Sequence, residues 1–532
     1  MSKHTNGVED RLARLLNAPG LARVVPHLAP ETLHQLIRYR GLDACGEILT
    51  SATTAQLTSL LDLDLWRRAP GADDRFDVRR FGDWLEVLVE AGESVAARTV
   101  AALDQRVMIA GLSRYLRVFD PGTFEPTAAG DDEAPDRREM MSGDVLECEV
   151  GGYVVRARRT DAWDAIVALL VTLDAEYNDD FHTLMRGCRQ LSNSTPEIDG
   201  LDELLNAPEQ HLHDTAIERE ERRSRRGYVT ATDARAFLHM ARQARDAREP
   251  IAHNPIVTSY FRDVDDEGEE AASVVTREPD EVSTSIAAIV ELLNEAGVQP
   301  EPRRALLEAA DERPAKGERS HLTRLMAFAL EHDETAYLAR GREVAFLANA
   351  LLAGCSVQSR SFTPEEASDA AACICNLGLD CWPEPAGLPD AFLVDHDLVA
   401  AFEVGWSVLY RDVSRFAADR LIAMLPDLHD VDAGTRRELH ALERTLVKQR
   451  EAGTPWRARD AADVLATFDT TAWISVLGLL DECPILPTAL TAIVEGRTTP
   501  VSPTAFEFIS TRAQIGNVRL FLRMLPAVLS RP

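Results

Sequence analysis

Apolar residues recur along this chain mostly at three- and four-residue spacing, the periodicity of amphipathic helices, and only rarely alternate as strands require. The most apolar helical run lies in Gly341–Trp382. There Val344, Phe346, Leu347, Leu351 and Leu352, mixed with alanines, predict a helix buried nearly all round that stops at Gly354. Thr363–Pro364–Glu365–Glu366 then supplies an N-cap, proline at the first helical position and a glutamate three residues after the cap, which together form a capping box. The helix it opens carries Ala367, Ala370, Ala371, Ile374 and Leu377 on one face and is expected to end at Gly378. Small residues on that face permit close approach of a second backbone, so the stretch predicts an antiparallel helical hairpin at the centre of a core.

Residues 8–120 predict a train of short helices. Pro30–Glu31 opens one with Leu33, Leu36 and Ile37 inward, and Asp43 opens another through Ile48 and Leu49. Thr53–Gln56 is a second capping box before Leu57, Leu60 and Leu61, and Asp77 begins a helix with Phe81, Trp84, Leu85 and Leu88. Ser94–Leu103 and Asp104–Phe119 follow. Helices this short are not stable alone and must stack on one another, the construction principle of helical solenoids. One strong hairpin signal breaks the pattern: Asp144–Val150 and Tyr153–Arg159 flank Gly151–Gly152, a pair that tolerates the positive φ of a tight turn. Thr160–Asp161 is expected to cap the next helix, with Trp163, Ile166, Val167, Leu170 and Leu173 inside. Further stripes run through Phe237 and Leu238, Ile286 to Leu293, Leu398 to Leu409, Trp473 to Leu480, and Ile515 to Leu529. The fold class is therefore mainly α: stacked short helices, solenoid-like in the N-terminal part, then helical core domains with one small β-hairpin.

Pro, Gly and charge concentrate where domains are expected to part. The expected organisation is a helical region at 1–120, a linker at 121–143 and a hairpin-plus-helix region at 144–250. An acidic linker at 251–282, a central helical core at 283–383 and a C-terminal helical region at 384–532 complete it.

Short phrases carry a family resemblance. Residues 28–66, LAPETLHQLIRYRGLDACGEILTSATTAQLTSLLDLDLW, resemble the helical N-terminal domain of MgtE-type magnesium channels over roughly the first hundred residues. No channel segment follows, so that resemblance implies a helical stack and no transport. DLDLW (Asp62–Trp66), FLANALLAGCS (Phe346–Ser356) and CNLGL (Cys375–Leu379) resemble a bacterial family of unknown function along the whole chain. That likeness implies one assembled unit and no activity.

Composition narrows the function. With 57 Lys and Arg against 87 Asp and Glu, the formal charge of −30 repels phosphate backbones and anionic lipid, so general nucleic-acid binding is not expected. The longest apolar runs, such as Ala165–Val171, fall far short of the ~20 residues that span a bilayer, so membrane insertion is not expected either. The first residues lack the features of a signal peptide, and eight irregularly spaced cysteines suit a reducing compartment; a cytoplasmic location is expected.

Candidate chemistry is sparse. Cys355, Cys373, Cys375 and Cys381 cluster in sequence, yet Cys373 and Cys375 sit two positions apart, pointing about 200° apart on an intact helix. Without a C-x-x-C pair, buried core thiols are the expected role and no cofactor is expected. Any metal site would use Cys355, Cys375 and Cys381, and would need the chain near Gly378 to leave the helix. His211, His213 and Asp214 present two ligands to one face only on a strand, and Asp395–His396–Asp397 reads as a helix start. Asp62 and Asp64 are too few hard ligands for a cation, and Trp66 reads as a packing anchor. Ile217–Arg226 predicts a charged, solvated helix with glutamates first and arginines last. No phosphate loop, dinucleotide fingerprint, H-E-x-x-H or G-x-S-x-G occurs. Three functions remain: a scaffold that binds a protein partner of unknown identity, a metal- or redox-linked protein using the cysteines, and an enzyme with carboxylates in an inter-domain cleft. The first is the expected one.

Overall fold

The computed structural model describes residues 21–67, 74–119, 146–192, 207–243, 254–262, 321–383, 388–425, 433–452, 471–494 and 505–529. The expected linker at 121–143 and the helix at 283–296 lie outside them, as does most of the acidic stretch 251–282, within which residues 255–262 are helical. The chain forms two compact units. Unit 1 takes the described residues up to Arg222, and unit 2 takes those from Arg223 onward. The protein is mainly α, with small antiparallel strand pairs.

Unit 1 contains α1 (Pro30–Arg40), α2 (Gly46–Ser51), α3 (Thr54–Asp64), α4 (Val78–Glu90), α5 (Glu93–Ala102) and α6 (Gln105–Tyr115). After them come α7 (Trp163–Glu176), α8 (Asn178–Ser192) and α9 (Ala207–Arg225), the last belonging to this unit through Arg222. The expected capping box at Thr53 is present, with Thr53 Oγ1 accepting from Gln56 N and the Gln56 side chain accepting from Thr53 N. The same glutamine also donates 2.8 Å to Val25 O and 2.7 Å to Leu28 O, tying the cap of α3 to the turn before α1. Successive helices pack in pairs, α1 with α3, α4 with α5, α7 with α4 and α5, and α8 with α6. They share one core that includes Leu36, Leu60, Phe81, Trp84, Ile166 and Phe181.

Three expectations for unit 1 need correction. The helix opened at Asp104 ends at Tyr115, and Leu116–Phe119 is a strand, β3, which follows the short pair β1 (Trp66–Arg67) and β2 (Arg75–Phe76). The hairpin β4 (Glu147–Val150) and β5 (Tyr153–Ala157) is where it was expected, but β3 pairs with β5 to give the three-strand order β3-β5-β4. Two strands alone are marginal, and the third comes from residues whose β-branched and aromatic side chains also fit a helix pattern. Thr160–Asp161 does not cap α7. The cap position is Ala162 with φ 58°, and Asp161 is held instead by Arg159.

Unit 2 is built from α10 (Ala231–Gln243), α11 (His321–His332), α12 (Glu334–Gly354), α13 (Pro364–Asp380) and α14 (Leu398–Leu409). Beyond a π-helical turn at Tyr410–Ser414 lie α15 (Arg415–Met424), α16 (Ala433–Ala452), α17 (Thr471–Leu479), α18 (Thr488–Val494) and α19 (Arg512–Leu529). The box at Thr363 is formed as expected and α12 ends at Gly354. Helix α13, however, runs through Gly378 to Asp380. Gly378 lies inside the helix because its use is packing: a Cβ there would stand 1.7 Å from the carbonyl oxygen of Ala401. The close partner of α13 is thus α14, with α12 also against it. The unit also holds a hairpin, β6 (Ser356–Val357) with β7 (Arg360–Ser361), and an antiparallel pair, β8 (Ile485–Pro487) with β9 (Phe506–Phe508), whose strands are separated in sequence by α18. The side chains of Trp473 and Ile474 lie outside the described residues; Leu480, from the same expected stripe, is buried.

Candidate functional site

The DLDLW segment ends α3 and turns into β1. Because the apolar face of α3 carries Leu57, Leu60 and Leu61, the two aspartates leave the helix in different directions. Asp64 accepts 2.7 Å hydrogen bonds from Arg80 Nε and from Trp84 Nε1, and lies 3.3 Å from His34 Nε2. Burial by itself pushes this carboxyl up, but the bonds from His34, Arg80 and Trp84 outweigh it and hold the group at about 2. Asp64 is therefore an ionised tie between α1, α3 and α4.

Asp62 faces α9. Its two oxygens accept from Arg222, 2.8 Å from Nε and 2.7 Å from Nη2, the bidentate fork that arginine matches to carboxylate. One turn earlier Arg219 is only 2% exposed. Its Nε donates 2.7 Å to the Asp62 carbonyl, its Nη1 donates 2.9 Å to Asp74 Oδ2, and its guanidinium lies 4.9 Å from the Trp66 ring centroid. Trp66 is held in turn edge-on to Phe76 at 5.5 Å, across the β1–β2 pair. Further along α9, Glu218 pairs with Arg106 and His211 Nε2 lies 3.0 Å from Arg106 O. Helix α9 is seated almost wholly by charge and hydrogen bonding. The acidic ledge of Asp62, Asp74 and Asp104 receives it, with Asp104 3.7 Å from Arg222.

The sequence singled out these residues but not their pairing. Asp62 and Asp64 do meet cations, and those cations are arginines from 16 to 160 positions away. Trp66 is an anchor as expected, with a guanidinium on its face. His211, His213 and Asp214 lie on α9, so they do not form the two-ligand strand arrangement. Asp397 caps α14, accepting 2.7 Å from Ala400 N, as the helix-start reading requires.

The candidate cysteines sit in three separate settings. Cys355 is buried at the end of α12 with its Sγ 3.6 Å from Ser356 O. Cys375 is buried inside α13 and points at Leu398 O, 3.7 Å away. Cys381, half-buried, accepts 3.4 Å from Arg512 Nε. Burial pushes the Cys355 and Cys375 thiols well above their ordinary range, which suppresses the thiolate that binds metal or attacks. Among the described residues no group of three or more His, Cys, Asp or Glu side chains is placed to hold a metal ion.

A second polar centre, in unit 2, was not visible in the sequence. The turn after α17 presents Asp481 and Glu482 to the β6–β7 hairpin. Glu482 Oε2 accepts 3.0 Å from Ser356 N and 2.8 Å from Ser356 Oγ, and Asp481 accepts from Gln358 N. Burial pushes Asp481 up to about 7 despite the backbone donors of Gln358 and Glu482. Above this acidic turn opens a cleft that Arg242, Trp406, Tyr410 and Ser414 also line. No local motif announces it, because its members come from α10, α14, the π-turn and the turn after α17.

The mainly helical class is thus set. Residues 5–197 match the model of a family of unknown function, DUF6178. The match covers unit 1 up to the end of α8 and stops short of α9, whereas the likeness had been expected along the whole chain. The likeness to MgtE-type channels finds no support in these comparisons. No curated protein and no solved structure matches the chain. Among the described residues no helix is long and apolar enough to cross a membrane.

Proposed function

We propose that this protein acts by binding another protein, and that the ledge of Asp62, Asp74 and Asp104 with Trp66 recognises a helix bearing arginines one turn apart. One observation carries the reading: α9, which lies outside the family-matched residues, is seated on that ledge through Arg219 and Arg222. Charge pairs with fixed forks and an aromatic face give orientation and register, the properties of a recognition surface. The chain's own helix then serves as the resident occupant, and a partner helix of the same chemistry displaces it.

The test uses the full chain with Arg219→Ala and Arg222→Ala, which frees the ledge, and a labelled peptide spanning Thr215–Tyr228. Saturable binding to this double variant, weaker binding to the wild type, and loss on adding Asp62→Asn are expected. A double variant that folds normally yet does not take up the peptide removes the reading.

A further inference from the structure

Several arginines of unit 1 meet carboxylates, among them Arg80 with Asp64, Arg159 with Asp161 and Arg222 with Asp62. Arg114 and Arg117 do not. Among the described residues neither guanidinium has an ion pair or a hydrogen bond, and the charged groups around them are other arginines. Arg114 stands in the last turn of α6 and Arg117 in β3. The register sets Arg117 directly opposite Arg156 of β5. Arg158, two residues further, donates 2.7 Å from its backbone N to Tyr115 O and 3.2 Å from Nη1 to Ser113 O, so its two bonds flank Arg114. Burial, and then the charges of Arg117 and Arg114, push the Arg158 guanidinium below its ordinary range.

The helix dipole favours cations at a helix C-terminus, which accounts for Arg114 and Arg158 at the end of α6. It does not account for Arg117. Like charges directly opposite each other on paired strands destabilise a sheet. Arg156 is engaged by Glu147 on β4 and lies 5.5 Å from the Phe119 ring centroid, which leaves Arg117 without a counter-charge. A ligand that brings negative charge to this corner explains why the arginine is there.

The chemistry narrows that ligand. A carboxylate brings one negative charge, whereas a phosphate monoester brings about 1.5–2 at pH ~7 and three acceptor oxygens, enough for two guanidinium forks. A long polyanion is opposed by the formal charge of −30, but a single phosphate feels mainly the arginines within a screening length of ~8 Å. The corner is open, with Arg158 exposed and Arg114 and Arg117 half-buried. On the sheet face that carries Arg117 and Arg156, the register partners Phe119 and Val154 are half-buried too. Apolar ground beside cations suits a phosphate carried on a polypeptide with an apolar neighbour better than it suits a free ion.

We propose that Arg114 and Arg117, flanked by Arg158, bind a phosphorylated serine or threonine side chain of a protein partner, with Phe119 and Val154 taking an adjacent apolar residue. The site lies within the family-matched residues 5–197 and uses none of Asp62, Asp74, Asp104 or Trp66, so it stands or falls apart from the helix-binding ledge.

The experiment titrates full-length protein at low salt into the blocked peptide Gly-Leu-Gly-phosphoserine-Gly-Leu-Gly, read by calorimetry and by the phosphorus NMR shift of the probe. The unphosphorylated peptide, its glutamate version and inorganic phosphate are run beside it. Saturable binding of the phosphopeptide is expected, tighter than that of inorganic phosphate and at least about tenfold tighter than that of the glutamate version. Affinity should rise between pH ~5 and pH ~7.5, as the dianion forms through its pKa near ~6. Arg117→Gln should weaken binding at least about tenfold, while Arg98→Gln, at an exposed arginine of α5, should not. The thermal midpoint of Arg117→Gln should equal or exceed that of wild type, because the substitution removes a like-charge pair. No saturable binding, equal binding of the glutamate peptide, or equal loss in both variants overturns the proposal. Inorganic phosphate binding as tightly as the peptide overturns the protein-borne source. A lowered midpoint or failed folding of Arg117→Gln makes Arg117 a structural residue and overturns its assignment.

Discussion

Gly378 of α13 and Gly405 of α14 lie face to face, so close that a Cβ built on either would come 3.0 Å from the backbone nitrogen of the other. Each would also strike a carbonyl oxygen of the opposite helix, at 1.7 Å from Ala401 O and 2.0 Å from Ile374 O. The obstacle is backbone, which cannot swing aside as a flexible side chain does. Gly378→Ala and Gly405→Ala are each expected to destabilise unit 2 by about 3 kcal/mol or more, the upper part of the range for overpacked cores. Chemical denaturation followed by circular dichroism measures this, and a loss below about 1 kcal/mol for both would mean the crossing is looser than described.

Stability is expected to respond to pH with opposite signs in the two units. In unit 2, burial pushes Glu343, Glu403 and Asp481 each up to about 7. Between the unfolded carboxylate range near pH ~4 and pH ~7, the folded form of each holds a proton that the unfolded form has lost. Their contribution is therefore largest at low pH and falls as pH rises through that window, by at most about 1.4 kcal/mol per pH unit for each group. In unit 1, Asp64 is held at about 2, so its contribution is full above pH ~4 and is lost as pH falls toward 2. Denaturation midpoints measured from about pH 4.5 to about 8 should decline for unit 2, and Glu403→Gln should flatten the decline. A midpoint that climbs with pH and is unaffected by that substitution contradicts the assignment.

The fork between Arg222 and Asp62 should behave as a coupled pair. A double-mutant cycle with Arg222→Ala and Asp62→Ala is expected to give a coupling of about 1–3 kcal/mol that shrinks in 1 M salt, ~3 Å being the screening length there. Arg219→Ala is expected to cost more, about 3–5 kcal/mol, because it leaves the mostly buried Asp74 carboxylate without this guanidinium. Independent, additive effects would show that α9 is not held as described.

The β6–β7 turn carries two residues other than glycine with positive φ, Gln358 at 48° and Ser359 at 60°. A two-residue turn of this hand favours Asn-Gly. Ser359→Gly is expected to raise stability by about 0.5–1 kcal/mol through relief of the left-handed backbone, offset in part by unfolded-state entropy. Thermal unfolding in parallel with wild type checks it, and a clear loss of stability would indicate that the Ser359 side chain has a use.

Thiol labelling separates packing from chemistry at the cysteines. Cys355 and Cys375 are buried with raised thiol pKa, so an alkylating reagent should modify them only as fast as the protein opens. Half-buried Cys381 should react first of the three. Rapid native-state labelling of Cys375, located by mass spectrometry of the peptides, would contradict the buried assignment.

Local signals in the chain located most of the described helices, though not all of their ends. The capping boxes at Thr53 and Thr363 form as written, because a cap is a contact between residues three apart and needs no knowledge of the fold. The apolar stripes through Leu57, Phe81, Ile374 and Phe402 are the core, since periodicity alone says which face must leave water. The glycine pair in the β4–β5 hairpin was legible for the same reason. What the tertiary structure decided is every property that depends on residues far apart. Gly378 looked like a helix end until α14 supplied the backbone that needs it, and Leu116–Phe119 became a strand because β5 offered its edge. Asp62 was visible as a carboxylate, but Arg222, 160 positions later, made it a fork, and the Arg242 cleft draws on four separate elements. A sequence prints the donors and acceptors of short-range contacts side by side. Long-range partners are chosen by packing, where the burial of many apolar faces at once determines which charges are left to meet.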